Sequence, residues 1–314
     1  MPIVIEPTAG YVRAEWLRER LPEATVHEPA REAVATTVDA AEEPVVFLCS
    51  NTAWREQYLE ALSDGDWVLT TTAGYDGYPA DAFQRRGIVL SNCPGISPGT
   101  VAEHALGMAI SFTRRFDVYR QRQADREWGR RRDDLTDLDG ERACVVGLGR
   151  VGEAVARRLA AFGATVVGVK RTPEEYDGIA EDVLGPDALL AALDGARLVV
   201  LAVPLTEETE RLIGAPELAA MDDDGILVNV ARGPVLDSEA LLAALEEDRL
   251  RGAGLDVFEE EPLPADSPLW DREDVFLTPH CAGTTEKYGQ RALEIVLDEY
   301  RRWRAGEQPR HRVV

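Results

Sequence analysis

Three glycines at a fixed spacing constrain this chain more than any other feature. In ACVVGLGRVGEAVARRLAAFGATVVGVKR, Gly147, Gly149 and Gly152 follow an apolar run at residues 143–146 and open an amphipathic helix. That helix leads to a second apolar run at 165–169. Alone, such a triplet is only a glycine-rich turn. Between a strand and a helix each glycine serves a purpose, in turn a tight bend, close approach of backbone to a pyrophosphate, and close packing of helix on strand. The helix start adds unpaired N–H groups and the positive end of its dipole. This predicts a dinucleotide site with Gly147, Leu148, Gly149, Arg150, Val151 and Gly152 at the phosphates.

The end of the second run predicts which dinucleotide binds. An acid about 20 residues past the fingerprint would hold a ribose 2′-OH. Lys170, Arg171 and Thr172 stand there instead. Two cations and a hydroxyl suit a 2′-phosphate, so the expected cofactor is NADP (NADPH), with NAD possible. A solvated loop with two incidental cations is the plainer alternative. Against it, Lys170 and Lys287 are the only lysines in the chain.

At 314 residues the chain exceeds one ordinary core, and two domains are expected. Apolar runs at 3–6, 45–48, 67–71 and 88–91, with helical segments at 52–62 and 76–86, predict a first βαβ series. Ser97 and Pro98 read as an N-cap and first helical residue. From there Val101, Ala105, Met108, Ala109 and Phe112 carry a long helix past Arg115. Residues 126–139 are polar and read as a linker or exposed loop. Strand runs at 143–146, 165–169, 198–203, 226–230, 254–257 and 275–277 then alternate with helices, the pattern of a doubly wound domain. A last helix at 286–304 spaces Ala292, Ile295, Val296, Glu299 and Tyr300 along one face. The predicted fold class is α/β with two domains: a doubly wound Rossmann cofactor domain at 98–283, and a discontinuous flavodoxin-like domain at 1–97 plus 284–314.

Composition narrows the setting. No stretch approaches the roughly 20 apolar residues of a membrane span, and MPIVIEPTAG lacks the regions of a signal peptide. A cytoplasmic chain with no membrane partner is expected. Cys49, Cys93, Cys144 and Cys281 have no CxxC spacing, so no metal is expected. Cys144 and Cys281 read as packing thiols rather than redox groups. A formal net charge of −23 argues against a nucleic-acid partner, whose phosphates need clustered cations. Two readings of the acidity stay open: an acidic mesophile protein from a GC-rich genome, or adaptation to molar salt, where screening cuts repulsion to about 3 Å. The Lys-poor, Arg-rich basic set favours the second, and is similar to that of haloarchaeal cytoplasmic proteins.

Six further motifs follow in order: TTAGYDGYP, NCPGISPGTVAEHALGM, VPLTEETERLI, VNVARGPVLDSEALLAAL, GAGLDVFEEEPLP and SPLWDREDVFLTPHCAGTT. With them the chain resembles, over essentially its whole length, the D-isomer-specific 2-hydroxyacid dehydrogenases. These are NAD(P)-dependent enzymes that interconvert 2-keto acids and D-2-hydroxy acids. The resemblance implies a catalytic set of Arg232, Glu261 and His280. The chemistry agrees. A guanidinium fork grips a carboxylate; an imidazole protonates the ketone oxygen as hydride arrives; a carboxylate beside it favours the imidazolium and orients the ring. The plainer readings are a capping Arg232 and a solvated run Glu259-Glu260-Glu261, within which only the resemblance picks Glu261. His27, His104 and His311 have no comparable context.

The resemblance also implies that backbone amides of Ala73 and Gly74 receive the substrate carboxylate beside Arg232 and His280, with Ser50 and Asn51 over the side chain. Along the cofactor it implies Thr100, Val203, Pro204, Thr209, Val230, Ala231, Arg232, Asp256, His280 and Gly283, with Asp256 meeting the nicotinamide amide. Val203 and Val230 could equally be sheet core. Substrate would bind in a cleft whose closure excludes water, and the chain would dimerise through the cofactor domain and its long helix. A rival of the same class is a glyoxylate/hydroxypyruvate reductase. Phe47, Leu48, Trp54 and Tyr75 suggest room for an apolar substrate side chain. A rival of another class is a dinucleotide-sensing corepressor, a binding protein that would need a peptide groove.

Overall fold

Strands that are apolar on both faces must be covered on both, and short runs of Val, Ile and Leu here form two parallel sheets. The computed structural model describes residues 1–9, 11–129 and 135–314, so the loop expected at 126–139 lies partly outside the described residues. The chain divides into two units, Met1–Ile96 with Thr285–Val314, and Ser97–Thr284.

The first unit contains β1 (Ile3–Ile5), β2 (Val26–His27), β3 (Val46–Cys49), β4 (Trp67–Thr70) and β5 (Val89–Ser91) in the order β2-β1-β3-β4-β5. This is the flavodoxin-like order. Alternation along each strand splits its core. Ile3, Ile5, Leu48 and Leu69 face one way, against Leu17 and the Ala292, Val296 and Tyr300 stripe of the last helix, Tyr288–Arg304. Val4, Phe47, Val68 and Leu90 face the other. Phe47 and Leu48 are therefore sheet core, each wholly buried, and do not line a substrate pocket. Trp54 is likewise committed to an aromatic cluster with Tyr58, Tyr78 and Phe83. That packing also breaks the helix expected at 52–62: a 3₁₀ turn, Asn51–Ala53, is followed by two extended residues and the shorter helix Glu56–Ala61.

The second unit contains β6 (Arg142–Val146), β7 (Thr165–Val169), β8 (Asp182–Leu184), β9 (Leu198–Leu201), β10 (Gly225–Asn229), β11 (Leu250–Leu255) and β12 (Val275–Leu277). Their order, β12-β11-β10-β9-β6-β7-β8, is the doubly wound Rossmann arrangement with an added edge strand. Cys144 and Val146 pack on one face, Ala143 and Val145 on the other. β2 and β8, at sheet edges, are too short and polar to be read from pattern. The helix expected to run past Arg115 stops after Pro98–Thr113. Arg115 is left-handed (φ 51°), and a separate helix, Phe116–Asp125, follows. Beyond Thr113 the chain buries no residue in that second helix, so no apolar face holds the two segments in line. Among the described residues no helix is long and apolar enough to cross a membrane.

Candidate active site

Every candidate residue of the second unit except Thr100 lies at or just beyond the carboxyl end of a strand, where doubly wound sheets bind ligands. At the end of β6, Gly147 takes φ +100°, and Gly149 caps the helix Arg150–Ala161. A Cβ on Gly152 would lie 1.8 Å from the Gly147 carbonyl oxygen, so only glycine lets the helix close on the turn. At Gly149 a Cβ would meet no protein atom within 4 Å, leaving space beside the start of the helix.

A cavity of about 440 Å³ opens there. It brings together Gly147, Leu148, Gly149, Lys170, Arg171, Val203, Pro204 and Thr209, and adds Pro186 and Leu189, which no sequence motif covers, and Thr206, Glu208 and Leu212, which lie within VPLTEETERLI without being singled out there. These residues fit a dinucleotide: a glycine turn for phosphate, an apolar wall, and two cations at the far end. Thr172 turns away, its hydroxyl donating to Glu175 Oε2 at 3.1 Å. Thr209 shapes the loop, donating to the Pro204 carbonyl at 2.6 Å and accepting from Thr206 N at 2.8 Å. Val230 packs on the core. Glu208 is hidden in the sequence among neighbouring glutamates. Its carboxyl is held below the ordinary range by hydrogen bonds from Thr206 and its own backbone, with a smaller contribution from Arg171.

Past β10 the chain turns sharply around buried Asn229, whose Oδ1 accepts from Ala231 N (3.0 Å) and whose Nδ2 donates to the Arg232 carbonyl (3.1 Å). This clamp sets the Arg232 backbone; one guanidinium nitrogen donates to the Ala231 carbonyl at 2.7 Å. Gly233 follows because the segment after β11 passes over it: a Cβ would sit 1.9 Å from the Phe258 carbonyl carbon. That segment carries Glu261. Its Oε1 accepts from Phe258 N at 3.0 Å, and its Oε2 lies 2.7 Å from His280 Nδ1. Glu259 instead accepts from Ser238 N, so geometry singles out Glu261 as the partner of His280. The pair borders an apolar cavity of about 500 Å³ lined by Phe258, Pro262, Leu263, Trp270, Leu277 and Pro279.

His280 itself is left-handed (φ 49°). Its turn is held by buried Asp256, which accepts from Thr278 Oγ1 (2.6 Å), Cys281 N (2.8 Å) and Ala282 N (2.9 Å). Burial, reinforced by Asp256, pushes the Cys281 thiol up, which suits packing over redox chemistry. His104, Asp256 and Cys281 bring potential ligand atoms within 4.8 Å of one another, but the aspartate is already occupied by protein donors. In Gly283 a Cβ would lie 3.0 Å from Ser97 Oγ. Thr100 is half-buried in the first turn of its helix.

In the first unit, Ser50 and Asn51 follow β3 and Ala73 and Gly74 follow β4. The register Cys49↔Thr70 places both loops at one end of that sheet. Asn51 Oδ1 accepts from Gly77 N at 3.0 Å, and Asn92 Nδ2 donates to the Ala73 carbonyl at 2.6 Å. Thr72 Oγ1 donates to the Gly74 carbonyl at 2.8 Å. Asn92, which the sequence offers only as part of a motif, fixes this loop.

A doubly wound sheet, a glycine-turn cavity and a histidine–carboxylate pair at its carboxyl edge define a dinucleotide-dependent oxidoreductase. Comparison with known proteins narrows this class. The family described as D-isomer specific 2-hydroxyacid dehydrogenase, NAD binding domain, matches residues 106–282. The chain is 36% identical to a glyoxylate reductase of Korarchaeum cryptofilum over 252 residues, covering 77% of this chain and 74% of that protein. It is also 36% identical to a glyoxylate/hydroxypyruvate reductase B of Yersinia pestis over 241 residues, 74% and 72% of the two chains. A family member of solved structure from Aeromonas salmonicida superposes with a TM-score of 0.87 at 27% identity, covering 100% and 98%. The chain belongs to the D-isomer specific 2-hydroxyacid dehydrogenase family and is an NAD(P)-dependent oxidoreductase of that family.

Proposed function

We propose that the protein reduces small 2-keto acids to D-2-hydroxy acids with NADPH, and that glyoxylate- and hydroxypyruvate-sized substrates suit it best. The observation that carries the chemistry is the 2.7 Å contact between Glu261 and His280. A bound nicotinamide supplies hydride. His280 delivers a proton from its other ring nitrogen to the ketone oxygen and recovers it in reverse, while Glu261 orients the ring. Arg232 grips the carboxylate, and the N–H groups of Ala73 and Gly74 offer it further donors. Ser50 and Asn51 attend the substrate side chain. Relatives named for glyoxylate and hydroxypyruvate support a small substrate, as does the commitment of Phe47 and Leu48 to sheet core. Lys170 and Arg171 in the cavity support NADPH. Kinetics on a panel of keto acids with both coenzymes test this: higher kcat/KM with NADPH and the smallest acids is expected, and equal efficiency with NADH reduces the two cations to surface residues.

A homodimer packed through the helix Pro98–Thr113 and its surroundings is part of the same reading. It is supported by half-exposed Phe116 and by Trp128, which is 96% exposed. Sedimentation of the purified protein tests it. A cytoplasm rich in salt fits the net charge of −23. Family membership favours the enzyme over the corepressor reading.

A further inference from the structure

The turn carrying His280 is an anion nest whose anion is a side chain of the protein itself. A left-handed residue aims successive N–H groups at one point. Here His280 N donates to the Asp256 carbonyl at 2.8 Å, Cys281 N to its Oδ1, and Ala282 N to its Oδ2. Asp256 is 2% exposed, and its carboxylate faces these donors. Thr278 Oγ1 supplies the remaining bond, at 2.6 Å. The hydroxyl in turn lies 2.9 Å from Nε2 of His104, which also stands 3.7 Å from Asp256 Oδ1. His104 belongs to the helix Pro98–Thr113, while Asp256 follows β11 and Thr278 follows β12. Three separate elements thus converge on one carboxylate.

We propose that His104, Thr278 and Asp256 are positioning residues for His280: a hydrogen-bonded chain that holds the left-handed turn, and with it the imidazole, against Glu261. The proposal rests on His280 being the proton donor. A hydroxyl shared between His104 and Asp256 locks the carboxylate rotamer, and the carboxylate locks the backbone on both sides of the reactive ring. Displacing a reacting group by about 1 Å costs up to about 100-fold in rate.

Thr278→Val keeps the shape and removes the hydroxyl. Its kcat should fall about 10- to 100-fold, with KM for NADPH and the melting temperature close to wild type. Thr278→Ser should restore turnover, and His104→Leu should reproduce the loss. Wild-type kcat in Thr278→Val overturns the proposal, as does equal impairment of the Ser and Val variants, or a loss that tracks a fall in melting temperature. His280→Gln is run alongside. If it is inactive while Thr278→Val is fully active, the positioning chain fails alone. If His280→Gln turns over normally, the reading of His280 fails instead.

Discussion

Replacing His280 with Gln should lower kcat by about 10² to 10⁴-fold, the usual worth of a general acid, while dinucleotide binding measured by fluorescence titration stays near wild type. Arg232→Lys should raise KM for the keto acid and lower kcat, because an ammonium cannot reproduce a planar fork; an unchanged KM removes Arg232 from the substrate. Lys170→Asp combined with Arg171→Ala should weaken NADPH and leave NADH equal or better. At this scale the sequence is legible where a residue sits inside a spaced motif, as with Gly147, Lys170 and His280. It is illegible where only space decides. Three consecutive glutamates are chemically equal on paper, yet Glu261 is the one that meets His280, at 2.7 Å. His104 lies within NCPGISPGTVAEHALGM with no role read from it, and acquires a partner, Thr278, 174 positions away.

Elements position these side chains through close approaches that tolerate little added volume. Gly233→Ala should push the Phe258–Glu259 backbone away, since the new Cβ would lie 1.9 Å from it. Overpacking of this kind costs about 1–3 kcal/mol. Calorimetry should show a lowered melting temperature together with reduced kcat, because Glu261 rides on the displaced segment. Unchanged values in both would mean that the segment yields freely. Strands and glycine turns are readable because apolar runs of strand length between breakers leave few alternatives. The end of the helix Pro98–Thr113 is not. Its apolar spacing and the residues after it give no local stop signal, and the break comes from a left-handed Arg115 where burial ceases.

For the whole molecule, two bulk properties should follow from burial and charge. Burial pushes the Cys49 and Cys144 thiols from 9.0 up to about 12. The folded state therefore keeps protons that the unfolded chain releases. Their contribution to stability is intact below about pH 9 and is lost as pH rises toward about 12. Urea unfolding should show this decline, and Cys144→Ala should make it shallower; an identical slope would assign the loss to other groups. The net charge of −23 predicts a second dependence. Activity and melting temperature should rise between about 0.1 and 1 M KCl, as the Debye length falls from about 10 to 3 Å. Full stability in dilute buffer, with salt only inhibiting, would discard adaptation to salt and leave the dehydrogenase chemistry untouched.

The sequence by itself determined the doubly wound unit, the dinucleotide turn and the family. Those depend on local periodicity, glycine geometry and motif order, which are written along the chain. Tertiary structure alone decided that Phe47 and Leu48 are core, that Glu208 enters the cofactor cavity, and that His104 reaches Asp256 through Thr278. Each of these depends on where distant strand ends and helix faces converge, and pairwise distance across a fold has no local signature in sequence.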